Sequence, residues 1–366
     1  MDHQAVYRHN HATRRKIHDI FTREEMAALT ARSDAMGAWA IASTWAAIAG
    51  CFWVMAWAQR WEPWLQIPVL ILATALLGGR QLALSILTHE ATHKTLFQRR
   101  WANEGLTDWL CARPLGLNLA KYRAHHFIHH ARTGTDEDAD ISLIEHLPTT
   151  RRSLMRKFLR DLTGLTGLKF LLGRALMDAE RMKWTVATNV EWLPKRGFVW
   201  HLWAWLRNSL PTMISNLLLF AALYLCGYPQ LFLGWVMAYL IPYPLFIRIR
   251  ALAEHAGTER CADMFRNTRT TRAGWLARLF VAPFRVNYHL EHHAMASVPW
   301  FRLPAMHRML RERQVVPAPP GYWRVLDIVS SAPARVPLRS PSGPDATAPR
   351  MPARPTTPVP CCTTER

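Results

Sequence analysis

The sequence predicts an all-α integral-membrane protein with four transmembrane helices arranged as two hairpins. Apolar residues make up 50% of the 366-residue chain, yet the mean hydropathy is only −0.06, so the apolar residues must be concentrated in segments. Four such segments approach the length of about 20 residues that a helix needs to cross the hydrocarbon core. Lys and Arg outnumber Asp and Glu by 45 to 26, and nearly all of them fall outside these segments.

The apolar segments pair closely along the chain. They lie at 36–58, 64–88, 211–227 and 229–247. The first two are separated by a short break in which Arg60 is the only basic residue, and the last two by Tyr228 alone. Such short connections predict helical hairpins. A second interpretation, in which the late pair is re-entrant rather than spanning, fits the sequence as well.

Charge predicts the orientation and the partners. Residues 1–35, 89–208 and 248–366 carry nearly all the Lys and Arg, and both topologies place them on one side of the membrane. The positive-inside rule makes that side cytosolic, so the two termini and the segments between the hairpins are expected in the cytosol. The net charge of +19 predicts contact with an anionic surface. Because apolar runs reach bilayer length, we expect that surface to be a membrane and expect no nucleic-acid partner.

The chain divides into three expected parts. Residues 1–35 are a basic cytosolic segment without the features of a signal peptide, and residues 36–320 form the membrane domain. Residues 331–366 are rich in Pro, Ala and Arg and are expected to be disordered. Within the domain, the basic and amphipathic stretch 148–208 predicts either interfacial helices on the bilayer or ordinary helices of a soluble layer.

Clustered histidines carry the chemical signal among the 17 in the chain. Three histidine boxes follow one another: His89-Glu-Ala-Thr-His93, His126-Phe-Ile-His129-His130 and His289-Leu-Glu-His292-His293. Positions i, i+3 and i+4 share one face of a helix, so each box presents its imidazoles in one direction. Imidazole binds Fe, Zn, Cu and Ni. Eight imidazoles exceed the four ligands of a tetrahedral site, which favours two ions of higher coordination number. His255 follows the fourth apolar segment at the same membrane level and is a ninth candidate ligand.

Two other functional classes match parts of this pattern. His89-Glu90-Ala-Thr-His93 fits the H-E-x-x-H motif of zinc metalloproteases, with Glu90 as general base, but this interpretation leaves the second and third boxes unexplained. A metal transporter or store is the non-enzymatic alternative. Transport sites should lie near the bilayer midplane, whereas these histidines follow the ends of the apolar segments.

The boxes HEATH, HFIHH and HLEHH, in this order, resemble the membrane fatty-acid desaturase superfamily. The similarity extends to YRAHHFIHHARTGTDEDAD and NYHLEHHAMASVPWFRLPAMH and covers about residues 35–320. It implies a cytosolic helical cap over four membrane helices and a non-haem di-iron site. The iron ligands that it implies are His89, His93, His126, His129, His130, His255, His289, His292 and His293. One departure is Ala251, because some members have an Asn four residues before the histidine that matches His255.

Residues near the boxes are expected to support the ligands. Asp138 and Asp140 follow the second box and are predicted to orient imidazoles. Arg123 and Asn287 flank the boxes as candidate hydrogen-bonding residues. No catalytic residue beyond the metal ligands is expected.

The resemblance implies O₂-dependent oxidation of a lipid. Desaturation of a fatty-acyl chain that enters from the bilayer is the favoured reaction, and hydroxylation or ketolation of a lipid or carotenoid is the alternative. The sequence has no C-x-x-C-H or G-x-G-x-x-G motif for a fused haem or flavin module. Electrons are therefore expected from a separate ferredoxin- or cytochrome-type protein.

Overall fold

The computed structural model describes residues 16–332, and this part of the chain is helical with three isolated β-bridges and no extended strand. The α-helices are α1 (Ile17–Ile20), α2 (Arg23–Thr30), α3 (Asp34–Ala58), α4 (Pro63–Thr92), α5 (Leu119–Arg132), α6 (Arg151–Leu162), α7 (Leu165–Asp178), α8 (Phe198–Leu225), α9 (Phe232–Leu240), α10 (Pro242–His255), α11 (Met264–Asn267), α12 (Trp275–Phe280), α13 (His289–Ala294), α14 (Leu303–Glu312) and α15 (Tyr322–Val329). Short π-helical turns lie at Ala102–Leu106 and Asp108–Ala112, and 3₁₀ turns lie at Arg113–Leu115, Ile141–Leu143, Pro229–Leu231 and Pro283–Arg285.

Four helical segments are long and apolar enough to cross a membrane. They are Arg23–Ala58, Pro63–Thr92, Phe198–Leu225 and Pro229–His255. The all-helical class and the four candidate spans are thus confirmed. In α4, Leu77, Leu82, Leu84 and Leu87 have no exposed surface. This helix therefore forms the centre of the apolar core, against α3, α9 and α10.

The third span begins earlier than the apolar segment 211–227. Helix α8 starts at Phe198 and runs through Pro211 without a break. The apolar pattern did not predict residues 198–210 as part of the span, because Arg207 and Asn208 interrupt the apolar run. Both side chains have partners in the structure, since Arg207 pairs with Glu180 at 2.8 Å and Asn208 donates to the Asp178 carbonyl at 2.8 Å.

The fourth span is broken and continues beyond residue 247. Ile241 interrupts the helix with φ −112° and ψ −75°, and Pro242 starts α10. The hydropathy signal stops where Arg248 and Arg250 appear, but the helix continues to His255. Arg248 is neutralised by Asp161 of α6 at 2.5 Å, which also fixes α6 against this span. His255 is consequently the last residue of a spanning segment rather than part of a following loop.

Helices α6 and α7 carry apolar side chains that face outward. Met155, Leu159, Leu162, Leu168 and Leu172 are each more than half exposed. A soluble helix pair would bury such a stripe, so this arrangement favours the interfacial interpretation for α6 and α7. Residues 198–208 of the predicted stretch 148–208 belong instead to α8.

Helix α7 approaches the break in the fourth span at a glycine. A Cβ on Gly167 would lie 2.4 Å from both the Cα and the carbonyl oxygen of Leu240. Backbone atoms cannot move aside as a flexible side chain can. The absence of a side chain at Gly167 therefore allows α7 to pack at this depth.

Gly167→Ala is expected to lower the thermal unfolding midpoint of the purified protein, because overpacking costs about 1–3 kcal/mol. Gly173→Ala in the same helix is the matched control. Its Cβ would meet only Met182 Cε at 3.9 Å. Alanine there is expected to be neutral or to stabilise the helix by about 0.5–1 kcal/mol. Equal midpoints for the two variants would contradict the close contact at Leu240.

Part of the N-terminal segment 1–35 is folded against helices that follow the third box. Phe21 and Leu29 are buried with Met306 and Leu310 in a small second core. Residues 1–15 and 333–366 lie outside the described residues, so the disorder predicted for 331–366 stays a prediction.

Candidate metal centre

The first histidine box lies on the last turns of α4. The apolar run ends at residue 88, but the helix continues to Thr92, which places His89 and His93 on consecutive turns with ring centroids 5.1 Å apart. Both rings face α5, where the His126 ring lies 4.6 Å from that of His89 and 4.9 Å from that of His93. His89 is therefore held by a candidate spanning helix, and His93 is the residue that caps the end of that helix.

The second and third boxes lie on shorter helices. Asn118 caps α5 by accepting a hydrogen bond from the Lys121 amide at 3.0 Å, and three turns of this helix bring its histidines to α4. The third box forms α13, whose histidines are all buried. Together with His255 at the end of α10, four helices direct imidazoles to one place.

The nine histidines form two groups. One contains His89, His93, His126, His130 and His292, and the other contains His129, His255, His289 and His293. Within each group the candidate ligand nitrogens all lie within 4.8 Å of one another. The closest pairs are His255 Nε2 with His289 Nε2 at 2.8 Å and His93 Nε2 with His126 Nε2 at 2.9 Å. The structure thus brings together every histidine that the sequence singled out as a ligand.

A metal ion fits these groups chemically. Within residues 16–332, both ring nitrogens of His89 are buried without a hydrogen-bond partner, although its ring lies 4.6 Å from that of His126 and 4.5 Å from that of His292. An unpartnered buried polar atom is costly, and coordination to a cation would satisfy it.

Burial also keeps the imidazoles in the ligand form. It lowers the pKa of His93 to about 3 and that of His130 to about 2. It lowers the pKa of His126 and of His292 well below the ordinary value. At neutral pH these rings are uncharged, so each has a nitrogen lone pair available for a metal.

The comparison with known proteins decides the family. The family model described as "Fatty acid desaturase" matches residues 61–325, which is most of the chain.

The chain belongs to the fatty acid desaturase family.

This finding confirms the resemblance that the three boxes carried. The chain is also 26% identical over 316 residues to the dihydrorhizobitoxine desaturase of Bradyrhizobium elkanii, a match that covers 79% of this chain and 78% of the relative. Membership of the fatty acid desaturase family and four apolar helices together indicate an integral-membrane oxidoreductase of the desaturase type.

Within this desaturase-family site, Asp138 supports a candidate ligand directly. Its Oδ1 lies 2.7 Å from His129 Nδ1, and its oxygens also accept from the amides of Gly134 and Asp140. The imidazole N–H donates to the carboxylate, which orients the ring with Nε2 towards the centre. Burial disfavours the charged form of His129, but the hydrogen bond that its ring donates to Asp138 and the negative charge of Asp140 outweigh burial, so the pKa of His129 is raised.

Asp140 has a different first partner from the one expected. It accepts from His125 Nε2 at 2.8 Å and lies 3.8 Å from His129 Nδ1. His125 belongs to neither imidazole group. Asp140 therefore supports His129 at longer range and links it to His125.

Arg123 and Asn287 bond to backbone rather than to imidazoles. Arg123 donates to the carbonyls of Ala91 and Thr92 at 3.1 and 3.0 Å, which closes the end of α4 beside the first box. Asn287 donates to the Thr271 carbonyl at 2.9 Å. Each fixes a segment that carries ligands.

Glu254 is the main residue that the sequence patterns missed. It is buried, its Oε1 lies 3.5 Å from His289 Nδ1, and Arg250 holds it at 2.7 Å. The available signal was its position beside His255 and one turn after Arg250 on the same helix.

Two further acids lie inside boxes and are not solvated. Glu291 has no exposed surface and pairs with His307 Nδ1 at 2.6 Å. Glu90 accepts from Thr95 Oγ1 at 3.0 Å and from the Trp300 amide at 3.1 Å. Glu90 therefore anchors the Thr95 hydroxyl and the Trp300 backbone, which argues against the general-base role that a metalloprotease would need.

Proposed function

We propose that this protein is an O₂-dependent fatty-acyl desaturase that holds one iron ion in each histidine group. The two groups of five and four convergent imidazoles carry this proposal. The bound irons would supply the oxidising chemistry that an unactivated C–H bond requires. The overall change converts CH₂–CH₂, O₂, two electrons and two protons into CH=CH and two water molecules.

The chain's own residues hold and shield the centre. The ligands come from α4, α5, α10 and α13, and eight of the nine are held on helices rather than on loops between them. His89, His289 and His293 are each at most 2% exposed. Exclusion of water in this way protects a strong oxidant from side reactions.

The position of the centre at the ends of candidate spans supports the proposal of a lipid substrate. Two candidate spans, α4 and the segment formed by α9 and α10, end at the centre, so we place the centre where an acyl chain leaves the hydrocarbon core. The relative from Bradyrhizobium elkanii is named for dihydrorhizobitoxine. The acyl chain is therefore our proposal for this protein and is not taken from that relative. Hydroxylation or ketolation of a lipid is the alternative product of the same centre.

We place the two termini, the helices outside the spans and the centre in the cytosol, as a cap over two hairpins. The excess of Lys and Arg in these segments supports this orientation. Two electrons per turnover would come from a separate ferredoxin- or cytochrome-type carrier. A basic cytosolic surface favours association with an acidic carrier.

Lipid profiling of cells that express the protein, together with metal analysis of the purified chain, tests this function. We expect about two irons per chain and a new unsaturated acyl lipid, both diminished in His292→Ala. A new hydroxylated or ketolated lipid that depends on His292 would transfer the protein to the alternative reaction. One zinc per chain that is retained in His292→Ala would overturn the di-iron proposal.

A further inference from the structure

Arg174 on α7 is half-buried and carries a positive charge. Among residues 16–332 its guanidinium makes no ion pair and no hydrogen bond, and its Nε is enclosed without a partner. It lies over the Trp184 ring at 5.2 Å. Two nearby arginines differ, because Arg113 pairs with Asp108 at 2.7 Å and Arg207 pairs with Glu180 at 2.8 Å.

The surroundings of Arg174 have a surplus of positive charge. Lys121 on α5 interacts with Arg174, and its Nζ bonds only to the neutral Asn208 Oδ1 at 3.3 Å within the described chain. Asp178, one turn along α7, is the acid that attracts both cations. Burial lowers the pKa of Arg174 and of Lys121. Glu180 also attracts Lys121, but it is paired with Arg207. Arg174, Lys121 and Asp178 therefore leave one surplus positive charge, which favours an added anion.

An aromatic path joins this cluster to the metal centre. Trp184 packs edge-on against Tyr122 with centroids 6.1 Å apart, and Tyr122 stacks on the candidate ligand His126 at 5.3 Å. Lys121 precedes Tyr122 on the same helix. The side chains that connect Arg174 to His126 are therefore aromatic, which suits contact with an alkyl chain.

We propose that Arg174, assisted by Lys121, binds an oxyanion at the head of the substrate, while the apolar chain passes Trp184 and Tyr122 to the metal centre. A guanidinium binds planar carboxylates and phosphates in bidentate fashion. The head group is therefore the carboxylate of a free acid or the phosphate monoester of a lipid. This inference rests on the proposed function and specifies its substrate class.

Binding of four ligands to the purified full-length chain in a neutral detergent tests the site. Palmitate is compared with its methyl ester, and palmitoyl-lysophosphatidic acid with monopalmitoylglycerol. We expect at least one anionic ligand to bind about tenfold more tightly than its neutral counterpart. The ligand that shows the preference distinguishes the carboxylate from the phosphate.

Arg174→Gln is expected to abolish this preference and to leave the affinity for the neutral ligands unchanged. Arg174→Lys is expected to retain part of it, since a lysine supplies a point charge without the bidentate geometry. Arg207→Gln removes an exposed, paired arginine of α8 and should match the unmodified protein. No preference in the unmodified protein, or the same preference in Arg174→Gln, would overturn the assignment.

Loss of folding, loss of head-group binding and loss of activity are measured separately. The unfolding midpoint and metal content of Arg174→Gln are compared with those of Arg207→Gln, and if Arg174→Gln does not fold, the preference of the unmodified protein and of Arg174→Lys decides. A chain that prefers the anionic ligand but forms no oxidised lipid contradicts the proposed function alone. A chain that forms the product without any preference contradicts this inference alone.

Discussion

Alanine at His289 is expected to empty one metal position and to abolish desaturation, whereas alanine at His126 should release its metal less completely. His289 belongs to the group of four, which keeps three imidazoles after the substitution, and His126 belongs to the group of five, which keeps four. Fewer remaining ligands bind an ion more weakly. We expect about one iron per chain in His289→Ala, an intermediate value in His126→Ala, and a loss of activity of at least about a hundredfold in both.

His146→Ala is the matched control for these variants. The His146 side chain is 77% exposed, and in the described part of the chain it pairs only with the neighbouring Glu145 and belongs to neither group. Its metal content and activity should equal those of the unmodified protein. Full iron content in His289→Ala would show that the group of four is not a metal site.

Asp138→Asn is expected to weaken metal retention by about ten- to a hundredfold while leaving the fold intact. The amide keeps the size of the carboxylate but loses its charge. In the unmodified protein the Asp138 oxygens accept from His129 Nδ1, the Gly134 amide and the Asp140 amide. The substitution replaces one of these accepting oxygens with an NH₂ group, which donates. One of these donors would face another donor, so the orientation of the His129 ring is no longer fixed.

Iron retained against graded chelator concentrations measures this effect. Asp140→Asn is the informative comparison, because Asp140 bonds to His125 and lies 3.8 Å from His129 Nδ1. We expect a smaller loss there than in Asp138→Asn. The reverse order would mean that Asp140, rather than Asp138, orients His129.

The histidines could be predicted because their signal is local. Spacing of three and four residues places side chains on one helical face whatever the rest of the fold does. The metal centre then required only that the helices carrying the three boxes and the helix ending at His255 meet. Glu254 could not be predicted in this way, because in the sequence it has only the spacing of an i, i+4 ion pair with Arg250. Its contact with His289 forms between different helices and depends on the tertiary structure.

The boundaries predicted for the third and fourth spans differ from those of the structure for a related reason. Hydropathy counts Arg248 and Arg207 as charges in isolation, but Asp161 and Glu180 neutralise them from distant parts of the chain. Those pairings depend on tertiary structure. The break at Ile241 was equally hidden, although Pro242 and Pro244 mark the place in retrospect.

The imidazole groups also connect helices that are distant in the sequence. The group of four joins helices α5, α10 and α13, and the group of five joins α4, α5 and α13, so segments separated by about two hundred residues are tied at one point. Binding energy at such a point is folding energy. With the proposed irons bound, we expect iron supply to govern how long the protein survives in the cell as well as how fast it works, because a chain without metal would lack the ligation that ties these helices together.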